Sequence, residues 1–454
     1  MVWLSKNDKR PGFTVNATVL YFSLIIFITL ISSYFFRDFT HARIWLYFII
    51  TVLFLKRIVK SECCWFKHLR LVYKIGIVYF IAHPIIIIFL SVYGFLGYRD
   101  DLDILKIIFP AAHIVLQFII VVYVATKFRY KDYIFIFKLI AYICFFLFFE
   151  FLTVKLLLDD SLSFSYFGHF ESYFINAQWL VAFFALIAYF YFFSNYLHTR
   201  KKIYLIGSMV LSILVVSTLL RNAWLSMIIF TVLSSIFTTS GIFRVRLISS
   251  LFILIIFTVI ILAIGAPLEN DYSSPYNLYA RLFLYANKLD LFIQYFPLGL
   301  GGGGSGKYFF YSNPIILTHL ENITYLDSDT LFNLAKDKYH NYGSHASSSH
   351  NTFLDIIADY GALGLFFVVW LLYIPLKILV YWSSKSVRNI NKIQILRRSA
   401  IAVISLTVFS FFLSIGSYLW LFMFMFVFML HLEKEVKNSV VKQKNAILPK
   451  INTQ

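Results

Sequence analysis

Long apolar runs separated by short polar breaks repeat along almost the whole chain. Each is about the length an α-helix needs to cross the roughly 30 Å hydrocarbon core of a bilayer. The runs lie near residues 16–36, 44–59, 75–97, 104–125, 133–157, 173–193, 203–220, 222–238, 246–265, 356–380, 399–414 and 417–431. This pattern predicts an all-α, polytopic membrane protein with about 12 transmembrane helices. Two boundaries come from length. As one helix, residues 203–243 would extend about 60 Å, so the chain must fold back, and Arg221-Asn222 is the natural turn. Residues 399–431 also exceed one core thickness and are basic at both ends (Arg397, Arg398, Lys434), which predicts a hairpin near Ser414, Gly416 and Ser417.

Composition sharpens the class without changing it. Hydrophobic residues make up 60% of the chain, mean hydropathy is +0.78, and 52 Phe and 31 Tyr fill the runs, far above soluble averages. Alternating barrel strands are absent from the pattern. The polar start MVWLSKNDKRPG leads into a full-length apolar stretch with no cleavage site behind it, so the first span is expected to be a retained anchor.

Charge adds an orientation. With the N-terminus in the cytoplasm, 29 of the 40 Lys and Arg fall inside and 11 outside, while 5 of the 22 acidic residues fall inside and 17 outside. The two sides then carry +24 and −6, within the net +18. Basic clusters such as Lys127/Arg129/Lys131, Arg200/Lys201/Lys202 and Lys392/Arg397/Arg398 recur at every second loop, as the positive-inside rule requires. The expected topology is N-in, C-in, with six spans in residues 1–202 and three in 203–265. A large extracytoplasmic loop over 266–350, three spans in 351–431 and a basic cytoplasmic tail over 432–454 follow. Because the cations are scattered over the cytoplasmic segments, nucleic acid is excluded as a partner, and anionic inner-leaflet lipids are the expected counter-charge.

Cysteine adds little. Cys63 and Cys64 lie in a predicted cytoplasmic loop and Cys144 within a span, so no extracytoplasmic disulfide and no CxxC metal site are expected. No internal repeat is visible, which weighs against transporter folds built from repeated halves.

Within the long loop, residues 278–296 place Leu278, Leu282, Tyr285, Leu289, Phe292 and Phe296 on one helical stripe, with Arg281 and Lys288 together on another. This predicts a helix lying on the outer membrane face. The following PLGLGGGGSGK formally fits GxxxxGK, but Tyr308 stands where Ser or Thr is required and no strand precedes it, so a nucleotide site is rejected. Asp327-Ser328-Asp329 and Asp101-Leu102-Asp103 have DxD spacing, for which a solvated loop is the simpler reading. His340, His345 and His350 recur at a spacing that neither helix nor strand brings to one face as metal ligands.

The chemistry concentrates where the loop meets a span, in SSSHNTFLDIIADYGALG over residues 347–364. The serine run can cap a helix, leaving free N–H groups and the positive dipole end beside His350 and Asn351, an anion-binding geometry. Asn351 and Asp355 share one stripe of that helix, and Gly361 and Gly364 allow close backbone approach to a neighbouring helix. The charge distribution puts two further cations, Arg221 and Arg281, at the same membrane face.

The run SHNTFLDIIADYGALG resembles the H-N-x9-G-x-x-G pattern of the bacterial O-antigen ligase and polymerase family. LLRNAWLS is similar to that family's upstream arginine segment, and ARLFLYANKLDLFIQYFPLGLGGG resembles its second arginine followed by a P-x-x-G-x-G stretch. The likeness spans roughly residues 203–380, in the expected order. It implies a multi-pass protein of the bacterial inner membrane that transfers glycan from a polyprenyl pyrophosphate-linked oligosaccharide at the outer face, with no metal or nucleotide cofactor. By position, Arg221 and Arg281 would neutralise the pyrophosphate leaving group, for which a bidentate guanidinium is suited. His350 would be the general base, its ordinary pKa of about 6.5 fitting a near-neutral compartment. Asn351, Lys288 and His345 are the expected substrate-binding residues, with His345 a rival base. Membrane lipids and a chain-length regulator are the further expected partners. The HNTFL form of the motif and the glycine-rich segment favour a polymerase over a ligase acting on lipid A core or a transferase acting on protein hydroxyls. A flippase or other transporter is a separate class, for which His83, His113, Lys138 and Glu150 are the mid-span ionisable residues; a non-catalytic scaffold subunit is a third.

Overall fold

The computed structural model describes residues 19–27, 127–157, 178–218, 220–238, 275–300, 351–383, 390–411 and 419–451. It also describes isolated positions at 52, 74, 78, 82, 83, 85–87, 89, 120, 121, 123 and 124, and several between 318 and 333. Among these residues there is no strand, and eight helices are bounded: α1 (Tyr130–Leu157), α2 (Gln178–Thr199), α3 (Lys202–Ser217), α4 (Arg221–Thr238), α5 (Pro275–Gln294), α6 (Thr352–Ser383), α7 (Ile390–Phe411) and α8 (Leu419–Ile451). Four of them are long and apolar enough to cross a membrane, over Tyr130–Glu150, Leu180–Thr199, Thr352–Trp382 and Asn391–Phe411, with α3 and α4 as shorter apolar helices. The protein is a helical membrane protein.

Several predicted boundaries move. The turn expected at Arg221-Asn222 falls just before it: α3 stops at Ser217, Thr218 closes its last turn through its hydroxyl on Val215 O at 2.7 Å, and Arg221 opens α4. Helix α2 runs to Thr199 and α7 starts at Ile390, both overrunning the apolar blocks 173–193 and 399–414. Helix α8 continues through the predicted tail to Ile451, supported on its polar stretch by the Glu433–Lys437 pair one turn apart at 2.6 Å. Apolarity marks where lipid stops, and a helix of Glu and Lys can go on past that point. The predicted span 246–265 and the turn near Ser414, Gly416 and Ser417 lie outside the described residues, as does nearly all of the span over 44–59. The spans near 16–36, 75–97 and 104–125 are described only in pieces.

Helix directions follow from ring contacts and hydrogen bonds. Phe183 meets Phe409 at 5.4 Å and Ser194 O meets Arg398, so α2 and α7 run antiparallel. Asn222 Nδ2 donates to Phe409 O at 3.1 Å, while Phe230 packs on Phe190 at 4.2 Å, so α4 runs beside α2 in the same direction. Helix α1 runs against α8 through Phe137–Phe424 and Tyr130–Phe428. The aromatic richness of the sequence fills this interior, where Phe22, Phe128, Tyr133, Phe137, Phe424 and Phe428 form one packed set. Hydroxyls inside it bond back to the preceding turn, as Thr231 to Met227 O, Ser405 to Ile401 O and Ser410 to Leu406 O, which satisfies them where water is scarce.

One end of the bundle is closed by consecutive arginines near the start of α7. Arg397 donates from Nε (3.1 Å) and Nη2 to Trp382 O and from Nη1 to Phe237 O at 3.4 Å; Arg398 donates from Nη1 to Ser194 O at 2.8 Å. Trp382 and Phe237 lie in the last turns of α6 and α4, whose final carbonyls have no partner within their own helix, and Ser194 lies one turn before the last turn of α2. The two cations therefore do more than label a membrane face: they join three helix ends. At the opposite end lie the starts of α4 and α6, the end of α7 and the loop helix α5.

Candidate functional site

Helix α5 is fixed to α6 by a backbone lock. Gly361 interrupts α6 with φ 58° and ψ −135°, and the segment after α5 enters that break: Ala362 N–H donates to Pro297 O at 2.8 Å and Leu300 N–H to Ala358 O at 3.1 Å. Gly299, also at positive φ (75°), lies against the same turn, where a Cβ would stand 2.5 Å from Gly361 N and 2.6 Å from Asp359 O. Only residues without a Cβ permit this approach and this conformation. The expectation that Gly361 and Gly364 receive a neighbouring helix is corrected. The loop segment 297–300 is what approaches Gly361, and Gly364 faces the carbonyl of Ile356, because the kink folds α6 back on its own first turns.

His83 completes the lock. Its Nε2–H donates to Leu298 O at 2.8 Å and its ring packs on Tyr360 at 4.9 Å, with no exposed surface. Sequence reasoning offered this histidine only as a pathway residue of a transporter. Here it holds a loop carbonyl.

The polar face of α5 turns inward. Lys288 is 1% exposed, flanked by buried Asn287 and Asp290, and faces Asp355 and Asp359 of α6. Burial pushes the Lys288 ammonium below the usual lysine range, and the two carboxylates pull it back up. Asp290 is held by Gln294 Nε2 at 3.0 Å. The predicted apolar stripe divides: Leu282 and Tyr285 pack beside a small cluster of Phe283, Leu284 and Leu331, Phe292 packs on the main core, and Leu289 and Phe296 are exposed. The charged side of the helix is gripped by the protein, while Leu289, Ile293 and Phe296 on the other side stay exposed. The periodicity located both faces, but a lysine next to carboxylates is buried where a lone lysine would not be.

Arg281 lies two turns before Lys288, about 10 Å along the same helix. It is half-buried, and its Nε is buried without an acceptor among the described residues. A buried donor of this kind takes an acceptor from another residue, a ligand or water.

At the start of α6, Asn351 is fully buried, and its Oδ1 accepts from Phe353 N–H at 3.0 Å and Leu354 N–H at 3.1 Å. Asn351 is thus the helix cap, in place of the serine run, and it occupies two of the N–H groups that were expected to face an anion. Its oxygen is committed to the helix. His350 and His345 lie outside the described residues, as do Asp101, Asp103 and the segment 301–307; Arg221 opens α4, its side chain outside the described set. Asp327 uses both carboxylate oxygens on Thr330, at 2.7 Å to N–H and 2.9 Å to the hydroxyl, and these bonds hold its carboxyl below the usual range. That accounts for the aspartate as a turn cap.

What is brought together is Lys288 on α5 with Asp355 and Asp359 on α6; Arg281 lies two turns earlier on α5, and Asn351, next in the chain to His350, caps α6. Missed from sequence were the ion cluster and the lock. Their signals were the opposite charges on two segments joined by a loop and the paired glycines at Gly299 and Gly361. No protein-family model matches the chain, and no curated protein matches it.

Proposed function

We propose that the protein is a metal-independent glycosyltransferase of the O-antigen polymerase kind. It passes a glycan chain from a polyprenyl pyrophosphate carrier onto a lipid-linked repeat unit at the outer face of a bacterial inner membrane. In this reading the end of the bundle bearing α5 and Asn351 faces outward and the end bearing Arg200, Arg397 and Arg398 faces the cytoplasm, in keeping with the positive-inside rule. The observation that carries the reading is Arg281: a guanidinium whose buried Nε has no acceptor among the described residues, on a helix whose trailing segment is locked to α6, the helix that Asn351 caps. Pyrophosphate is a leaving group on which charge develops, and a preorganised guanidinium favours that charge without reorganising. Arg221 supplies the second cation, and His350 takes the proton of the attacking sugar hydroxyl. Lys288 acts from below, as the cation that fixes α5 and not as a direct ligand.

Purified protein in detergent, given a synthetic polyprenyl pyrophosphate oligosaccharide and offered either a second lipid-linked unit or lipid A core, tests the reading. Extension of the lipid-linked unit supports the polymerase. Transfer to lipid A core replaces it with a ligase, and movement of the lipid with no new glycosidic bond makes the protein a transporter.

A further inference from the structure

At the end of the bundle closed by the arginines, α1, α2, α7 and α8 surround a cavity of about 70 Å³. On the scale at which one water needs about 10–15 Å³, that is room for roughly five non-hydrogen atoms, the number in a phosphate group. We infer that this cavity is a phosphate-binding site, filled by the headgroup of an anionic lipid or by a free phosphate ion. The inference is independent of the reaction proposed above, since it concerns the opposite end of the bundle.

Its walls are of two kinds. Arg398, His198, Asn195 and Ser399 form a polar side, and Phe137 and Met425 belong to an apolar one. The Arg398 guanidinium is 1% exposed and is aimed by Ser194 O at 2.8 Å and by Gln394 Oε1 at 3.4 Å. Arg200 faces it closely enough for the like charges to repel, and His198 stands between helix end and cavity. Bringing basic groups together at the mouth of a cavity is unfavourable by itself and favourable around an anion. Arg200 is also held at φ 57°, in the left-handed region that disfavours arginine, where its N–H closes the last turn of α2 on Tyr196 O at 2.8 Å. A guanidinium recognises phosphate by its planar fork, and the apolar wall suits the first carbons of a lipid ester. Lys201, Lys202 and Lys392 near the same end add attraction for an anionic leaflet.

The test uses the full chain in detergent, with phosphatidylglycerol, diacylglycerol and inorganic phosphate as probes. Lipid retention is read by native mass spectrometry and stability by the thermal midpoint. The inference predicts that one phosphatidylglycerol is retained per chain and raises the midpoint, and that diacylglycerol, which lacks the phosphate, does neither. Arg398→Gln and the cavity-filling Ala402→Leu should each weaken retention about tenfold, the loss of one charge-assisted contact. If Arg398→Gln does not fold, Arg200→Gln decides: at an exposed helix end, it should raise the lipid-free midpoint by removing repulsion while reducing the increment that lipid gives. Protection by inorganic phosphate alone, with no retained lipid, identifies the free ion as the occupant. Equal retention of diacylglycerol, or wild-type retention in folded Ala402→Leu and Arg200→Gln, overturns the inference.

Discussion

Gly299 and Gly361 meet backbone to backbone, so close that a Cβ on the first would lie 2.5 Å from the amide nitrogen of the second and a Cβ on the second 2.7 Å from that of the first. Both hold positive φ. The contact ties the end of the loop helix to the break in a membrane-spanning helix. Neither side can yield, because each is backbone.

Gly361→Ala and Gly299→Ala should therefore cost about 3 kcal/mol or more each, from the strained φ and the backbone overlap together. Ala362→Gly, in the same turn, should cost only about 1 kcal/mol. Thermal denaturation of the purified protein in detergent reads the difference. Equal small losses for all three would mean the lock is not formed.

Lys288→Met should destabilise by about 3–5 kcal/mol, because it leaves Asp355 and Asp359 without the cation they face. Adding Asp355→Asn and Asp359→Asn should recover most of that loss, the coupling being read from a mutant cycle. The pH dependence has a definite sign. Burial lowers the folded lysine below its ordinary 10.5, so in that window the unfolded chain binds more protons and stability rises with pH. Relative to Lys288→Met, the wild type should gain as pH climbs through the depressed value toward 10.5. A difference that falls with pH would mean that the two carboxylates outweigh burial and hold the lysine above 10.5.

Arg397→Lys separates two roles of one cation. Charge is kept, so a topology reporter fused to either end should be unmoved. The fork onto Trp382 O and Phe237 O is lost, which should cost about 1–2 kcal/mol in the unfolding midpoint. An unchanged midpoint would reduce Arg397 to a charge label.

How far the sequence could be read differs by element. The break between α3 and α4 was legible because a single helix there would be twice the thickness of the membrane, and the four helices suited to crossing one all sit on apolar blocks. The ends of α2, α7 and α8 were not, since hydropathy records lipid contact and is silent on a helix that continues into polar sequence. At the candidate site, the phase of α5 was legible, but which face is gripped was not: Lys288 reads as a surface residue until the aspartates of α6 are set against it. Asn351 could have been read as a cap, being an asparagine directly before an apolar helix. His83 gave no signal, because its partner is a carbonyl, and any residue has one.

The most direct test of the proposed chemistry is single-turnover formation of a glycosidic bond between two polyprenyl pyrophosphate-linked repeat units, by the wild type and by His350→Ala and Arg281→Lys. The wild type should form the bond without added metal. His350→Ala should be slower by about 10²–10⁴-fold, as for loss of a general base. Arg281→Lys should fall well below the wild type despite keeping its charge. No bond from the wild type, or near wild-type rates from both variants, would contradict the account.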